Sequence, residues 1–124
     1  MVTSRIVATG AGIPSQVITN DDLAQIMDTS DEWIRQRTGI GERHISGGED
    51  LSYYTTKAAR QIIERAGIAP EDIDLIVVAT VTADYCTPSA ACMVQKEIGA
   101  VNAVAFDVTA ACSGFLYGVS VADK

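Results

Sequence analysis

The run Leu75-Ile76-Val77-Val78-Ala79-Thr80-Val81 constrains this chain more than any other stretch. It carries no charge and only one hydroxyl, so it reads as a central strand covered on both faces, the habit of a parallel sheet. Residues 103–108, with Val104-Ala105-Phe106-Asp107-Val108, make a second buried strand. Between the two, Ser89 begins a helix that Gly99 ends. Upstream, Leu51, Ala58, Ala59, Ile62, Ile63 and Ala66 fall on one stripe of a helix over 51–66. Gly67 follows at its C′ position, with Ile68 closing back on the last turn. A first strand is expected over residues 4–10. The order β-α-β-α-β calls for right-handed crossover helices and a parallel sheet, which is the α/β class.

The remaining segments are shorter. Asn20-Asp21-Asp22 is expected to cap a short helix through Met27. Thr29-x-x-Glu32 has the form of a capping box, with Ser30 as a competing cap, for a helix over about 31–37 that Gly39 stops. Asp31 and Glu32 lie in its first turn, where the helix dipole favours acids. Residues 46–50, Ser-Gly-Gly-Glu-Asp, form a loop. A chain of 124 residues makes one domain and no more. After Cys112 the last helix has only about three turns before Lys124 and no C-cap signal, so the chain reads as interrupted inside an element.

Charge and cysteine usage narrow the function classes. A net charge of −7 argues against bulk nucleic-acid binding, and an anionic ligand would need local cations. No apolar run is long enough to cross a membrane, and Met1-Val2-Thr3-Ser4-Arg5-Ile6 lacks the layout of a secretory signal. Cys86, Cys92 and Cys112 form an odd set without C-x-x-C spacing. Neither a disulfide framework nor a metal site is expected, and a reducing, cytoplasmic setting fits.

Cys112 is the candidate for chemistry. It follows the 103–108 strand and the small residues Thr109-Ala110-Ala111, and precedes Ser113-Gly114 and the apolar helical pattern Phe115, Leu116, Val119, Ala122. A thiol at such a strand-turn-helix junction sits over the positive end of the helix dipole, which favours the nucleophilic thiolate and suits covalent acyl transfer. The alternative is a small buried apolar cysteine.

Trp33 and Arg37 are four apart and share a helix face. An indole beside a guanidinium is a platform for a planar anionic ligand such as a nucleotide; a partly buried Trp with Arg lying across it is the plainer reading. His44, in Glu42-Arg43-His44-Ile45, is the one histidine and reads as a hydrogen-bonded structural residue more readily than as a base for Cys112. Gly10-x-Gly12 is too short for a dinucleotide fingerprint. Cys86 and Cys92 are assigned no chemistry.

With Cys112 in Thr109-Ala110-Ala111-Cys112-Ser113-Gly114-Phe115, the chain resembles the β-ketoacyl-acyl carrier protein synthase III family of the thiolase superfamily. Three more stretches agree, in order: Asp28-Thr29-Ser30-Asp31-Glu32-Trp33-Ile34, Arg37-Thr38-Gly39-Ile40 and Pro88-Ser89-Ala90-Ala91-Cys92. The resemblance runs from Ile6 to Lys124. It implies a layered thiolase-like fold of two similar halves, of which residues 1–124 would be the N-terminal, parallel-stranded half-domain. It implies that Cys112 accepts a short acyl group from acyl-coenzyme A and condenses it with malonyl-acyl carrier protein, releasing carbon dioxide. Coenzyme A enters as a thioester substrate, and no resident cofactor is implied. By the same resemblance Trp33 stacks on the adenine, Arg37 contacts the nucleotide end and Thr29 lines that entrance. The catalytic His and Asn of the family would lie beyond residue 124, in the remaining C-terminal half, and the assembly would be a homodimer. The position before Pro88 often carries an aromatic that reaches into the partner subunit's primer pocket; here Thr87 stands there, which implies room for a primer longer than acetyl.

Two rivals stand beside this expectation. One keeps the fold and changes the substrate, as in a polyketide-priming or 3-hydroxy-3-methylglutaryl-coenzyme A synthase-like enzyme. The other is a non-catalytic fragment acting only as an interaction partner.

Overall fold

The computed structural model describes residues 4–124. These divide into two compact units, one of residues 4–12 and 50–124 and one of residues 13–49.

The larger unit contains the parallel sheet that the apolar runs predict. Strands β3 (Leu75–Ala79) and β4 (Val104–Val108) pair in parallel, with Leu75 opposite Val104 and Ala79 opposite Val108. Thr80 extends the ladder by one bond, its amide donating to Val108 O at 3.2 Å. Helix α4 (Ala90–Ile98) makes the crossover between the two strands. Its start is doubly secured. Ser89 Oγ accepts the Cys92 amide, and Asp107 of β4 accepts the amides of Ala90 and Ala91 at 2.8 Å each. Gly99 ends it at φ 79°. The fully buried apolar residues of this unit gather here, at Ala90, Ala91, Val94, Ala100 and Ala103. Such small side chains let α4 lie close on the sheet.

Helix α3 (Leu51–Ala66) runs as the apolar stripe predicts, and Gly67, at φ 66°, closes it. The Ile68 amide reaches back to Ile63 O. The best-buried residues of α3 are Ser52 and Thr56, while Ile62 stays open to solvent. Helix α5 (Gly114–Ala122) lies against β3. A Cβ built on Gly114 would stand 3.0 Å from Ala79 Cβ, and one on Gly118 3.5 Å from Val77 Cγ1.

Two expectations fail in this unit. Residues 4–10 do not form a strand, and the chain from Thr9 to Gly12 docks on α3 instead. Arg65 donates to Thr9 O at 2.6 Å, and Gln61 both donates to Ala11 O and accepts its amide. Gly10 and Gly12 permit that approach, because a Cβ would fall 2.3 Å from Ala58 O and 2.1 Å from Tyr54 O. The glycine pair therefore serves packing. The run 75–81 is also shorter as a strand than its composition suggests: the strand ends at Ala79, Leu75–Val78 are only half-buried, Ala79 is exposed, and Val81 lies outside the ladder and is exposed.

The smaller unit is built on an antiparallel strand pair that the sequence does not announce. Strands β1 (Gln16–Thr19) and β2 (Glu42–Ile45) pair with Gln16 opposite Ile45 and Thr19 opposite Glu42. Helix α1 (Asn20–Ala24) ends before Met27, and its cap is Thr19, which forms a capping box with Asp22. Helix α2 (Asp31–Thr38) takes Ser30 as its cap, Ser30 Oγ accepting the Trp33 amide at 3.1 Å, so the competing Ser displaces Thr29. Gly39 ends it at φ 74°. No helix among the described residues is long and apolar enough to cross a membrane.

Candidate active site

The larger unit places Cys112 at the carboxyl end of a parallel strand, where ligands gather in α/β sheets. The turn from β4 to α5 is tight. Residues Ala111–Ser113 form one turn of 3-10 helix, with the Ser113 amide bonded to Ala110 O at 3.0 Å. Ala111 holds φ +43°, a left-handed conformation that costs a residue with a Cβ about 1–2 kcal/mol. That kink sits immediately before the thiol. Cys112 is exposed and unbridged. Ser113 caps α5 without a side-chain bond, and the 3-10 turn runs straight into the helix, the Gly114 amide donating to Ala111 O. A thiol that faces solvent at a helix start differs from the buried, inert cysteine of the alternative reading.

Thr87 lies in the loop that leaves the carboxyl end of β3, the strand beside β4. The Thr87–Pro88 bond is cis and Thr87 is exposed. The sheet thus sends the loop of Thr87 and the turn of Cys112 out from the same end of two neighbouring strands.

The smaller unit places Trp33 and Arg37 together. Arg37 Cζ lies 4.2 Å from the Trp33 ring centroid, and Arg37 Nη1 donates to Trp33 O at 3.4 Å. Trp33 keeps 52% of its surface open. One face of the indole carries the cation, and the side chain still offers area to a planar group. Thr29, half-buried, stands just before the cap of this helix.

What holds that helix is a polar network centred on Asn20, only 1% exposed. Asn20 Nδ2 donates to Asp31 Oδ1 and to Ile40 O, both at 2.8 Å, and Arg43 Nη2 donates to Asn20 Oδ1 at 2.7 Å. Asp31 in turn accepts from Arg35 Nε on both oxygens at 2.8 Å. The Asn20 amide first, against the cost of desolvation, and then the Arg35 guanidinium hold the Asp31 carboxyl below its ordinary pKa. The sequence reading treated Asn20 as a helix cap. Its signal is slight, since Thr19 just before it is an equally plausible cap and is the one that takes the helix start. Asp84 and Asp107 also escaped it, although an acid inside an apolar strand at 107 is the kind of oddity that marks a buried partner.

His44 Nδ1 donates to Pro14 O at 2.7 Å, within the smaller unit. That is the structural histidine expected from its place in the sequence.

No protein-family model matches the chain. Individual relatives do. The β-ketoacyl-[acyl-carrier-protein] synthase III of Clostridium botulinum strain Langeland is 56% identical over 117 residues, which are 94% of this chain and 36% of that enzyme. The enzyme of the same name from Lactococcus lactis subsp. cremoris is 53% identical over 124 residues, all of this chain and 38% of its own. Among solved structures, 3-oxoacyl-[acyl-carrier-protein] synthase III from Aquifex aeolicus superposes with a TM-score of 0.91 at 48% identity, over 94% of this chain and 38% of that one. The priming β-ketosynthase of the R1128 polyketide pathway also gives 0.91, at 37% identity, over 96% of this chain and 36% of that one. The chain spans little more than a third of the length of the curated relatives it matches. The structures share its thiolase-like α/β fold.

Proposed function

We propose, on the premise that this chain belongs to the β-ketoacyl-[acyl-carrier-protein] synthase III family, that it supplies the nucleophile and the coenzyme A-binding face of a fatty-acid condensing enzyme. The observation that carries the proposal is Cys112, exposed on a kinked turn at the carboxyl end of β4. In the first half-reaction the Cys112 thiolate attacks the carbonyl of acyl-coenzyme A. The carbon–sulfur bond to coenzyme A breaks, coenzyme A leaves as a thiol with the proton Cys112 gave up, and the acyl group stays as a thioester on Cys112. In the second, malonyl-acyl carrier protein loses carbon dioxide. The electron pair left on its α-carbon attacks the acyl carbonyl, the β-ketoacyl product forms on the carrier, and the Cys112 thiolate is released. The charge that builds on the malonyl thioester oxygen needs an oxyanion-type site. The His and Asn that the resemblance assigns to that site would come from a segment outside this sequence.

Trp33 and Arg37 serve the first half-reaction. The indole stacks on adenine and the guanidinium meets the negative nucleotide end, with Thr29 at the same entrance. Thr87, exposed on the loop after β3, borders the acyl pocket, in the homodimer that the resemblance implies. Its small side chain favours primers with more carbons than acetyl, since each buried methylene is worth about 0.8 kcal/mol.

A condensation assay with acetyl-coenzyme A and malonyl-acyl carrier protein, on the full-length protein that contains this chain, tests the reading. Native protein is expected to release carbon dioxide and form the β-ketoacyl product, and Cys112→Ala to form none. Product formation by Cys112→Ala at the native rate overturns it. The likeness to a polyketide-priming ketosynthase favours one second reading, a primer enzyme for another chain-building pathway. Preference for a carrier protein other than the fatty-acid one, in the same assay, distinguishes it.

A further inference from the structure

The loop over residues 80–89 has no helix or strand of its own. Every residue from 81 to 88 is exposed except Asp84. Asp84 Oδ1 accepts the Leu51 amide at 2.8 Å, and its Oδ2 accepts the Ser52 amide at 2.8 Å and the Ser52 hydroxyl at 2.5 Å. These donors open α3. That helix has a cap of its own in Asp50, which accepts the Tyr53 amide at 2.9 Å. Asp84 comes from 33 residues away and takes the amides that the local cap leaves over. A carboxylate is suited to this place: charged acceptors make the stronger hydrogen bonds, and a helix start favours negative charge. Burial works against its ionisation. The Ser52 hydroxyl and amide and the Leu51 amide outweigh that, and the carboxyl stays below its ordinary pKa.

The two ends of the loop are tied as well. Thr80 bonds to Val108 O, and Ala90 and Ala91 bond to Asp107. Between those ends Asp84 is the side chain that turns inward, and Thr87 follows it by three residues.

We propose that Asp84 is a positioning residue that sets acyl-primer choice by pinning the 80–89 loop, and Thr87 with it, to the start of α3. The proposal rests on the reading that Thr87 borders the acyl pocket. A pocket wall discriminates by chain length only if it cannot retreat, and a loop exposed along its length has no packing to stop it. The three bonds of Asp84 supply that resistance.

The test uses the full-length protein with Asp84→Asn and Asp84→Ala, and Thr87→Phe in parallel. Asn keeps the shape but sets an amide nitrogen against donors, so it leaves one helix-start amide without an acceptor. Two quantities are read: amide exchange at Leu51 and Ser52, and the ratio of kcat/KM for acetyl- over butyryl-coenzyme A. Loss of one charge-assisted bond is expected to speed exchange at Leu51 and Ser52 by about tenfold or more. The primer ratio is expected to move toward unity by at least about fivefold, since a yielding wall discriminates less. Faster exchange with an unchanged ratio overturns the proposal, and so does unchanged exchange. Thr87→Phe separates the two ideas. If it shifts the ratio while Asp84→Asn does not, the role of Asp84 fails alone. If it shifts nothing, the reading of Thr87 fails and the proposal falls with it.

Discussion

Asn20 carries more of the smaller unit than its sequence position suggests. It is the largest fully buried side chain among the described residues, and its carboxamide is satisfied at both ends. Removing it takes one partner each from Arg43, Asp31 and Ile40 O, and a hydrogen bond lost from a buried side chain costs about 0.5–1.5 kcal/mol. Asn20→Ala is expected to lower the urea midpoint of the full-length protein by a stability loss in that range. It should also shift the acid limb. The Asp31 carboxyl is held below 3.8 in the fold, so its contribution to stability is present above the unfolded value and is lost as pH falls through the lower folded value. Without the Asn20 amide the folded value rises, and acid unfolding begins at higher pH. Urea midpoints measured across the acid range in both proteins check this; equal midpoints and parallel acid limbs would show that the network is idle.

At the scale of elements, capping chemistry and period told most of the story. Ser89, Gly67 and Gly99 stand where helix ends must be, and α3, α4 and the β3–β4 pair follow from them and the apolar runs, whereas Asp50, expected only as loop, caps α3. What escaped was what depends on partners distant in sequence. Residues 4–10 have strand composition, but the chain docks on a helix at residues 9–12, and a strand without a ladder partner is no strand. The β1–β2 strand pair escaped because Gln16–Thr19 and Glu42–Ile45 are short and mixed, with two helices between them. At the candidate site, the strand-turn-helix junction that carries Cys112 was legible in the sequence, while its reading as a nucleophile rather than a small apolar cysteine leaned on the resemblance. Trp33 and Arg37 were legible as a shared face, and the ligand proposed for them rests only on the resemblance. Asp84 was not legible, since a carboxylate that caps a remote helix from a loop has no local pattern, while Asp107 showed only as an acid inside an apolar strand. Gly12 offers a test at this scale. A Cβ there meets the Tyr54 carbonyl at 2.1 Å, on a helix backbone that cannot yield. At Gly67 a Cβ meets nothing and only the φ of +66° opposes it. Gly67→Ala is expected to cost about 1–2 kcal/mol. Gly12→Ala should cost more, by thermal melting of each variant; the reverse order would deny that residues 9–12 dock on α3.

At the scale of the molecule, apolar surface is the salient feature. Phe115 and Leu116 of α5 are 69% and 68% exposed, and Tyr117, Val119 and Val104 are open beside them in sequence or on the neighbouring strand. Patches of that kind mark surfaces that bind protein or aggregate. Residues 1–124 expressed alone are therefore expected to self-associate and to bind a hydrophobic dye. A monodisperse monomer by size-exclusion, without dye binding, would show that α5 needs no cover.

The central claim is that Cys112 becomes acylated, and it is tested most directly by incubating the full-length protein with acetyl-coenzyme A, without malonyl-acyl carrier protein, and mapping the adduct by mass spectrometry. The account predicts one acetyl thioester per chain, on Cys112, absent from Cys112→Ala and slower to form in Trp33→Ala. An acetyl group on Cys86 or Cys92 with Cys112 unmodified, or an unaltered adduct in Cys112→Ala, would contradict it.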